Sequence, residues 1–221
     1  MITRAEVAKL GAMHAVEPAM LSLYLTVPPP PADPSALAAR AGRLIAAAEA
    51  AAGWPVPGRD RVYQKLAGYA GGGAGPTAAV FACAGSGLLE AISLPLPLPE
   101  RAVLGVRPHI RPLLLALQRG SAGDRVRGLT AAGLAAVGLP GCLAAVSAGP
   151  VQTLVVPLDG LAPGYECGRC GTLSLDADGC CPDWGTAALP VPDVIEEMVS
   201  RVLEDDGEII VATDRSVPAC C

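Results

Sequence analysis

Aromatic side chains are scarce in this chain. Phe, Tyr and Trp together make up 3% of the residues, although 52% of the residues are hydrophobic. A core anchored on a few large rings is therefore excluded. Leu, Val and Ala must fill it in small increments, through many helix and strand contacts. Long apolar runs are missing too: none reaches the roughly 18 residues of a membrane span, and Leu94–Leu98 alternates with prolines. The N-terminus carries Arg4, Glu6 and Lys9 where a signal peptide needs its apolar stretch. These features predict a cytoplasmic protein with no membrane association. No internal repeat is seen. The 221 residues suffice for one large domain or two small ones.

Several catalytic patterns are also missing. The glycine run Gly71–Gly75 is not followed by the Lys and Ser/Thr of a phosphate-binding loop. Gly85-Ser86-Gly87 lacks the spacing of a nucleophile elbow and lies in a hairpin pattern. Neither His14 nor His109 has an evident Ser or Cys partner, which argues against a hydrolytic triad.

Charge is present but unevenly spread. Residues 1–128 hold 13 Lys/Arg against 8 Asp/Glu, and residues 129–221 hold 3 against 13, within a net charge of −5. An ordinary solvated surface accounts for this. If the protein does bind a polyanion, the front half would face it, and the acidic back half would suit a protein partner.

Local patterns give an α/β order. Thr3 and Glu6 form a capping box ahead of a helix over about Arg4–Met13. Leu21, Leu23, Leu25 and Val27 alternate with Ser22, Tyr24 and Thr26, which predicts a half-buried strand. Asp33-Pro34 opens a helix that runs to Gly53, and a shorter helix fits Arg59–Gly68. Ala78–Cys83 and Leu88–Leu94 read as a hairpin around Ala84–Gly87, followed by a strand at Val103–Val106 and a helix at Ile110–Gln118. The polar segment Arg119–Asp124 marks a boundary between domains at 1–118 and 124–221. In the second domain, helical stretches Leu129–Leu139 and Cys142–Ala148 are separated by Pro140-Gly141. A strand at Val151–Val156, a helix at Asp193–Leu203 and a strand at Glu208–Val211 follow.

Between that strand and that helix lies a cysteine lobe over residues 163–185. Cys167-Gly-Arg-Cys170 is a good metal-binding knuckle, because its glycines let backbone amides turn toward the sulfurs. The second knuckle is defective: Cys181-Pro-Asp-Trp184 has tryptophan where a fourth thiolate belongs, leaving Cys180 or Asp183 to complete a set. Three readings stay open: a zinc site at Cys167, Cys170, Cys180 and Cys181, a lobe held by packing alone, and a redox pair at Cys167 and Cys170. Cytoplasmic placement argues against a disulfide framework for the 8 cysteines. Cys83 and Cys142 read as core residues, and Cys220 and Cys221 as terminal thiols.

Several segments resemble one family. Leu143–Val156, Pro163–Gly171, Val191–Val199 and Val202–Glu208, with Leu21–Leu25, Phe81–Glu90 and Leu94–Pro112 in the front half, are similar to the bacterial branch of the archaeo-eukaryotic class I peptide-chain release factors. That branch is related to peptidyl-tRNA hydrolases that free nascent chains from stalled large ribosomal subunits. The resemblance covers most of the chain. It implies an N-terminal α/β domain, then a ribosomal-protein-like α/β/α sandwich with a zinc ribbon inserted in some members. It also implies an RNA-facing front and a protein-facing C-terminal domain. The front half's Arg40, Arg43, Arg59, Arg61 and Lys65 are the candidate RNA contacts.

Two departures qualify this. The family's central domain, whose glycine-rich loop offers a glutamine to position water at the peptidyl-tRNA ester, has no counterpart between Gln118 and Asp124. Gln64, Gln118 and Gln152 are the glutamines of this chain, and only Gln152 has a glycine three residues before it. The sandwich also expects a strand after Asp214, where the chain reads Arg215–Cys221, as in a shortened member. The expected function is therefore binding of the ribosome or peptidyl-tRNA in termination or rescue, with no catalytic residue assigned. The alternative is a protein-binding adaptor with an acidic C-terminal half and no ribosomal role.

Overall fold

A computed structural model describes residues 2–15, 20–29, 33–56, 58–70, 75–118, 135–176, 181, 185 and 187–213. The chain is α/β and divides into two compact units, Met1–His109 and Ile110–Cys221.

The first unit begins with α1 (Arg4–Gly11), and the expected capping box is formed. The Glu6 amide donates to Thr3 Oγ1 at 3.3 Å, and the Thr3 amide donates to Glu6 Oε2 at 2.8 Å. A four-stranded antiparallel sheet follows, built from β1 (Met20–Thr26), β2 (Thr77–Cys83), β3 (Leu88–Leu94) and β4 (Arg101–Gly105) in the order β3-β2-β1-β4. Helices α2 (Pro34–Ala52) and α3 (Arg59–Ala70) separate β1 from β2. Asp33 caps α2 through its carboxylate to the Ser35 amide, and Gly53 ends it in the left-handed region at φ 74°, a conformation that suits glycine.

Register decides the core. Leu21, Leu23 and Leu25 lie opposite Ala82, Val80 and Ala78 on one sheet face. They form one cluster with Leu37, Ala41, Ile45 and Ala48 of α2 and with Val62 and Leu66 of α3. The spacing of the α2 residues is a helical stripe, so one face of a largely alanine helix is buried.

The expected half-burial of β1 is corrected, because every residue from Met20 to Leu25 is buried. On the opposite face, Met20 packs with Ala15 and Cys83, and the segment at His109 satisfies the polar groups of Ser22 and Tyr24. Tyr24 donates its hydroxyl to the His109 carbonyl at 2.6 Å, and the His109 amide donates to Ser22 Oγ at 2.8 Å. Tyr24 meets Phe81 edge-on, with ring centroids 6.0 Å apart.

The second unit holds α4 (Arg111–Leu117), α5 (Leu139–Ala148), β5 (Thr153–Pro157), α6 (Val194–Glu204) and β9 (Glu208–Ala212). Strands β5 and β9 pair in parallel, as a strand–helix–strand unit requires. Inserted between β5 and α6 is a small antiparallel sheet of β6 (Gly164–Cys167), β7 (Leu173–Ser174) and β8 (Ala188–Val191), in the order β7-β6-β8. Gly207 turns α6 into β9 where no side chain fits. A Cβ there would lie 2.5 Å from both the Val151 carbonyl oxygen and Val202 Cγ1.

Three expectations change in this unit. Helix α4, which the sequence put at the end of the first domain, groups with the second unit. Pro140-Gly141 does not separate two helices but lies in the first turn of α5, where proline's missing N–H has no partner to lose. Strand β5 starts at Thr153 instead of Val151; the Gln152 carbonyl still accepts from the Glu208 amide at 2.8 Å. The expected features over residues 71–74, 119–124, 129–134 and 214–221 lie outside the described residues.

Helix α4 is held by a buried guanidinium. Arg111 donates from Nε to Glu196 Oε1 at 2.8 Å and from NH2 to Asp193 Oδ2 at 2.5 Å. It also donates to the carbonyls of Pro157 and Gly160, both at 2.9 Å. Its side chain is 0% exposed, and those of Asp193 and Glu196 are 4% and 5%. The Ile110 amide adds a bond to Glu196 Oε2 at 3.2 Å. The guanidinium thus joins α4, the end of β5 and the start of α6.

Removing one member of a buried ion pair leaves the others charged and unpaired. Arg111→Met is expected to lower unfolding stability by about 3–5 kcal/mol in urea titrations. Arg59→Met, which breaks a surface pair with Glu49 at 2.9 Å, should cost under about 1 kcal/mol. The first cap gives a pH effect. The Thr3 hydroxyl, and then the Thr3 amide, hold the Glu6 carboxyl below its ordinary range. The cap's contribution is complete above the ordinary glutamate value and is lost as pH falls through the lowered value. Acidification should therefore fray α1, read from its amide chemical shifts, and Glu6→Gln should remove that dependence.

Candidate metal centre

The site is built by a reversal of the chain after β6. Strand β6 ends at Cys167, and residues 168–170 turn. Gly171 adopts φ 74°, its amide donates to the Cys167 carbonyl at 2.8 Å, and the Cys167 amide donates to the Thr172 carbonyl at 2.9 Å. This tight turn aims the Arg169 amide at Cys167 Sγ, 3.4 Å away. An N–H aimed at sulfur stabilises a thiolate and is the local geometry expected of a metal knuckle.

Cys181 completes the cluster. The sulfurs of Cys167, Cys170 and Cys181 all lie within 4.8 Å of one another, and Cys170 Sγ is 3.5 Å from Cys181 Sγ. Tetrahedral zinc with Zn–S bonds of about 2.3 Å places its sulfurs about 3.8 Å apart, so the three thiols fit such an ion. Cys167 and Cys181 are buried, and Cys170 is exposed. Cys170 Sγ also lies 3.1 Å from Thr172 Oγ1. Of the four cysteines expected to share a metal, Cys180 lies outside the described residues, as do Asp183 and Trp184.

The knuckle is fastened to the helix behind it. Arg201 of α6 donates from NH2 to Glu166 Oε1 at 3.0 Å and to the Gly171 carbonyl. A Cβ at Gly171 would come within 3.3 Å of that same nitrogen. At the base of the lobe, a Cβ at Gly164 would lie 2.5 Å from the Ser174 carbonyl oxygen and from Val194 Cγ1. Glycine is thus required both at the knuckle and where the lobe meets α6.

The remaining candidates are dispersed. Cys83 packs with Ala15 and Met20, and Cys142 is buried in α5. Cys220 and Cys221 lie outside the described residues. The candidate RNA contacts all fall on α2 and α3. Arg40 pairs with Glu100 at 2.5 Å and Arg59 with Glu49 at 2.9 Å, while Arg43, Arg61 and Lys65 are exposed. Of the glutamines, Gln118 accepts from the Val211 amide through Oε1 at 2.7 Å, and Gln64 and Gln152 are exposed. His14 is exposed and His109 buried. The Arg111 cluster was not foreseen; its one signal in the sequence is an arginine inside the apolar run Ile110–Leu117.

No protein-family model matches this chain, and no curated protein does. Among solved structures, the C-terminal domain of a peptide chain release factor from Methanosarcina mazei is similar at 19% identity and a TM-score of 0.33. The match covers 51% of this chain and 83% of that one, and at that score it carries no inference about function.

The Arg201 contacts lead to a local expectation. Arg201→Met should loosen the knuckle while leaving the β5–β9 ladder intact. By hydrogen exchange, the amides of Arg169 and Gly171 should lose protection, whereas those of Ile210 and Val211 should keep theirs.

Proposed function

We propose that this protein is a release-factor-like protein that binds the ribosome or tRNA in translation termination or rescue, and that its cysteine lobe holds one zinc ion. The observation that carries this reading is the position of the three-thiol lobe. It sits between β5 and α6 of a parallel strand–helix–strand unit, where the motif resemblance puts an inserted zinc ribbon. The thiols of Cys167, Cys170 and Cys181 would hold the ion, with a fourth ligand from the segment next to Cys181. Bound there, zinc would serve as a structural crosslink between the end of β6 and the return to β8.

Contact with RNA would run through the exposed cations of α2 and α3. Arg43, Arg61 and Lys65 are available, while Arg40 and Arg59 already face Glu100 and Glu49. Phosphate contacts of this kind release counterions, so the affinity they supply falls steeply as salt rises. We assign binding without hydrolysis. Ester hydrolysis needs a positioned water and donors for the oxyanion. The Gln118 carboxamide is committed to the β9 backbone, Gln64 lies on α3 and Gln152 adjoins β5.

Co-sedimentation of the purified chain with large ribosomal subunits across a salt series tests the reading. Salt-sensitive pelleting, abolished by Arg43→Glu, Arg61→Glu and Lys65→Glu together, is expected. Pelleting that ignores both salt and these substitutions would refute the RNA-facing surface, and no pelleting at low salt would refute ribosome binding. Metal analysis of protein prepared without chelators should find close to one zinc per chain, falling below a tenth of that in Cys181→Ser.

A further inference from the structure

The cysteine cluster is asymmetric in a way that a purely structural metal site does not require. Cys167 is withdrawn: it is 3% exposed and its sulfur receives the Arg169 amide. Cys170 is exposed, so it is the thiol that a dissolved oxidant meets. Its sulfur stands 3.5 Å from that of Cys181, which is 4% exposed. Thr172 Oγ1, 3.1 Å from Cys170 Sγ, can donate to a thiolate there. An accessible thiol beside a sheltered one is the arrangement in which the first is oxidised and the second resolves the product.

We propose that Cys170 and Cys181 form a reversible redox pair, and that closing their disulfide dismantles the metal-binding thiol set. The co-reactant is a peroxide. The Cys170 thiolate attacks one peroxide oxygen; the S–O bond forms, the O–O bond breaks, and hydroxide leaves. Cys170 is then a sulfenic acid, oxidised by two electrons, and the peroxide is reduced. The Cys181 thiolate attacks Cys170 Sγ next; the S–S bond forms, the S–O bond breaks, and a second hydroxide leaves. The protons of the two thiols convert the hydroxides to water. The sum is two thiols and one hydrogen peroxide giving one disulfide and two waters. A dithiol reverses it by exchange.

The consequence for the lobe is direct. Of its three described thiols, only Cys167 remains after oxidation, and one thiolate holds zinc far more weakly than three. Conversely, a bound ion occupies both reacting sulfurs and slows their oxidation. Metal and oxidant therefore act as alternatives at one site. The metal half of this proposal rests on the zinc reading above, whereas the crosslink does not.

Full-length, metal-free protein is treated with hydrogen peroxide, the remaining thiols are alkylated, and the chain is cleaved before Asp176. The fragments carrying Cys170 and Cys181 should stay joined until dithiothreitol is added, with a loss of two alkylatable thiols. The Cys180→Ser variant should keep the crosslink, and Cys170→Ser and Cys181→Ser should each lose it. Pairing of Cys170 with Cys167 or Cys180 would overturn the proposal, as would overoxidation of Cys170 that dithiothreitol does not reverse. In zinc-loaded protein, a chromogenic chelator should report metal release in step with crosslinking. Crosslinking with the metal retained would overturn the claim that the disulfide dismantles the site. A chain that crosslinks but never binds zinc would refute the metal reading and leave the redox pair standing.

Discussion

Arg111 sets the terms on which the second unit folds. A guanidinium with no exposed surface must be given hydrogen-bond acceptors wherever the chain puts it. Here four residues supply those acceptors: Asp193 and Glu196 at the start of α6, the carbonyl of Pro157 at the end of β5, and the Gly160 carbonyl just beyond it. Burial of this kind contributes less to net stability than to discrimination between arrangements, because any misplacement of α4 or α6 strands a charge. The helix carrying Arg111 is short and mostly apolar, and its amphipathicity alone would not orient it. Its polar anchor does.

Asp193 has two duties in that network, and they explain why the cysteine lobe can be attached there. One carboxylate oxygen takes the Arg111 guanidinium. The other accepts from the amides of Ile195 and Ala162, both at 3.1 Å. The first of these amides starts α6, and the second belongs to the segment that leads into the lobe. A single carboxylate therefore caps the crossover helix, shares the buried cation with Glu196 and fixes the lobe's point of entry. Arg201, two turns further along α6, fastens the knuckle from behind.

Most local structure was legible in the sequence, because it depends on neighbours in the chain. The Thr3–Glu6 box, the Asp33 cap, the Gly53 stop and the Ala84–Gly87 hairpin each rest on contacts a few residues apart. What escaped depends on contacts between distant residues. The alternation in β1 describes one face correctly, but the burial of Ser22 and Tyr24 comes from a segment over 80 residues away. Helix α4 meets the second unit through residues over 40 positions downstream, Arg111 at Pro157 and Asp193 and Gln118 at Val211, which no local pattern reports. The first knuckle was readable from its spacing. The grouping of Cys181 with that knuckle was one of the readings the sequence left open, and the structure brings Cys167, Cys170 and Cys181 together.

The lobe enters and leaves the second unit through one doorway. The Val194 amide donates to the Ala162 carbonyl at 2.8 Å, and the Ala162 amide donates to Asp193. The two ends of a long excursion are thus clasped side by side before the excursion does anything. In polymer terms, the loop-closure cost has been met by the host, and further lengthening adds to it only logarithmically. The lobe is therefore a module in the engineering sense. The clasp belongs to the host, since both of its hydrogen bonds join residues that flank the lobe, so the placing of β5 against α6 does not draw on the length of the excursion between them.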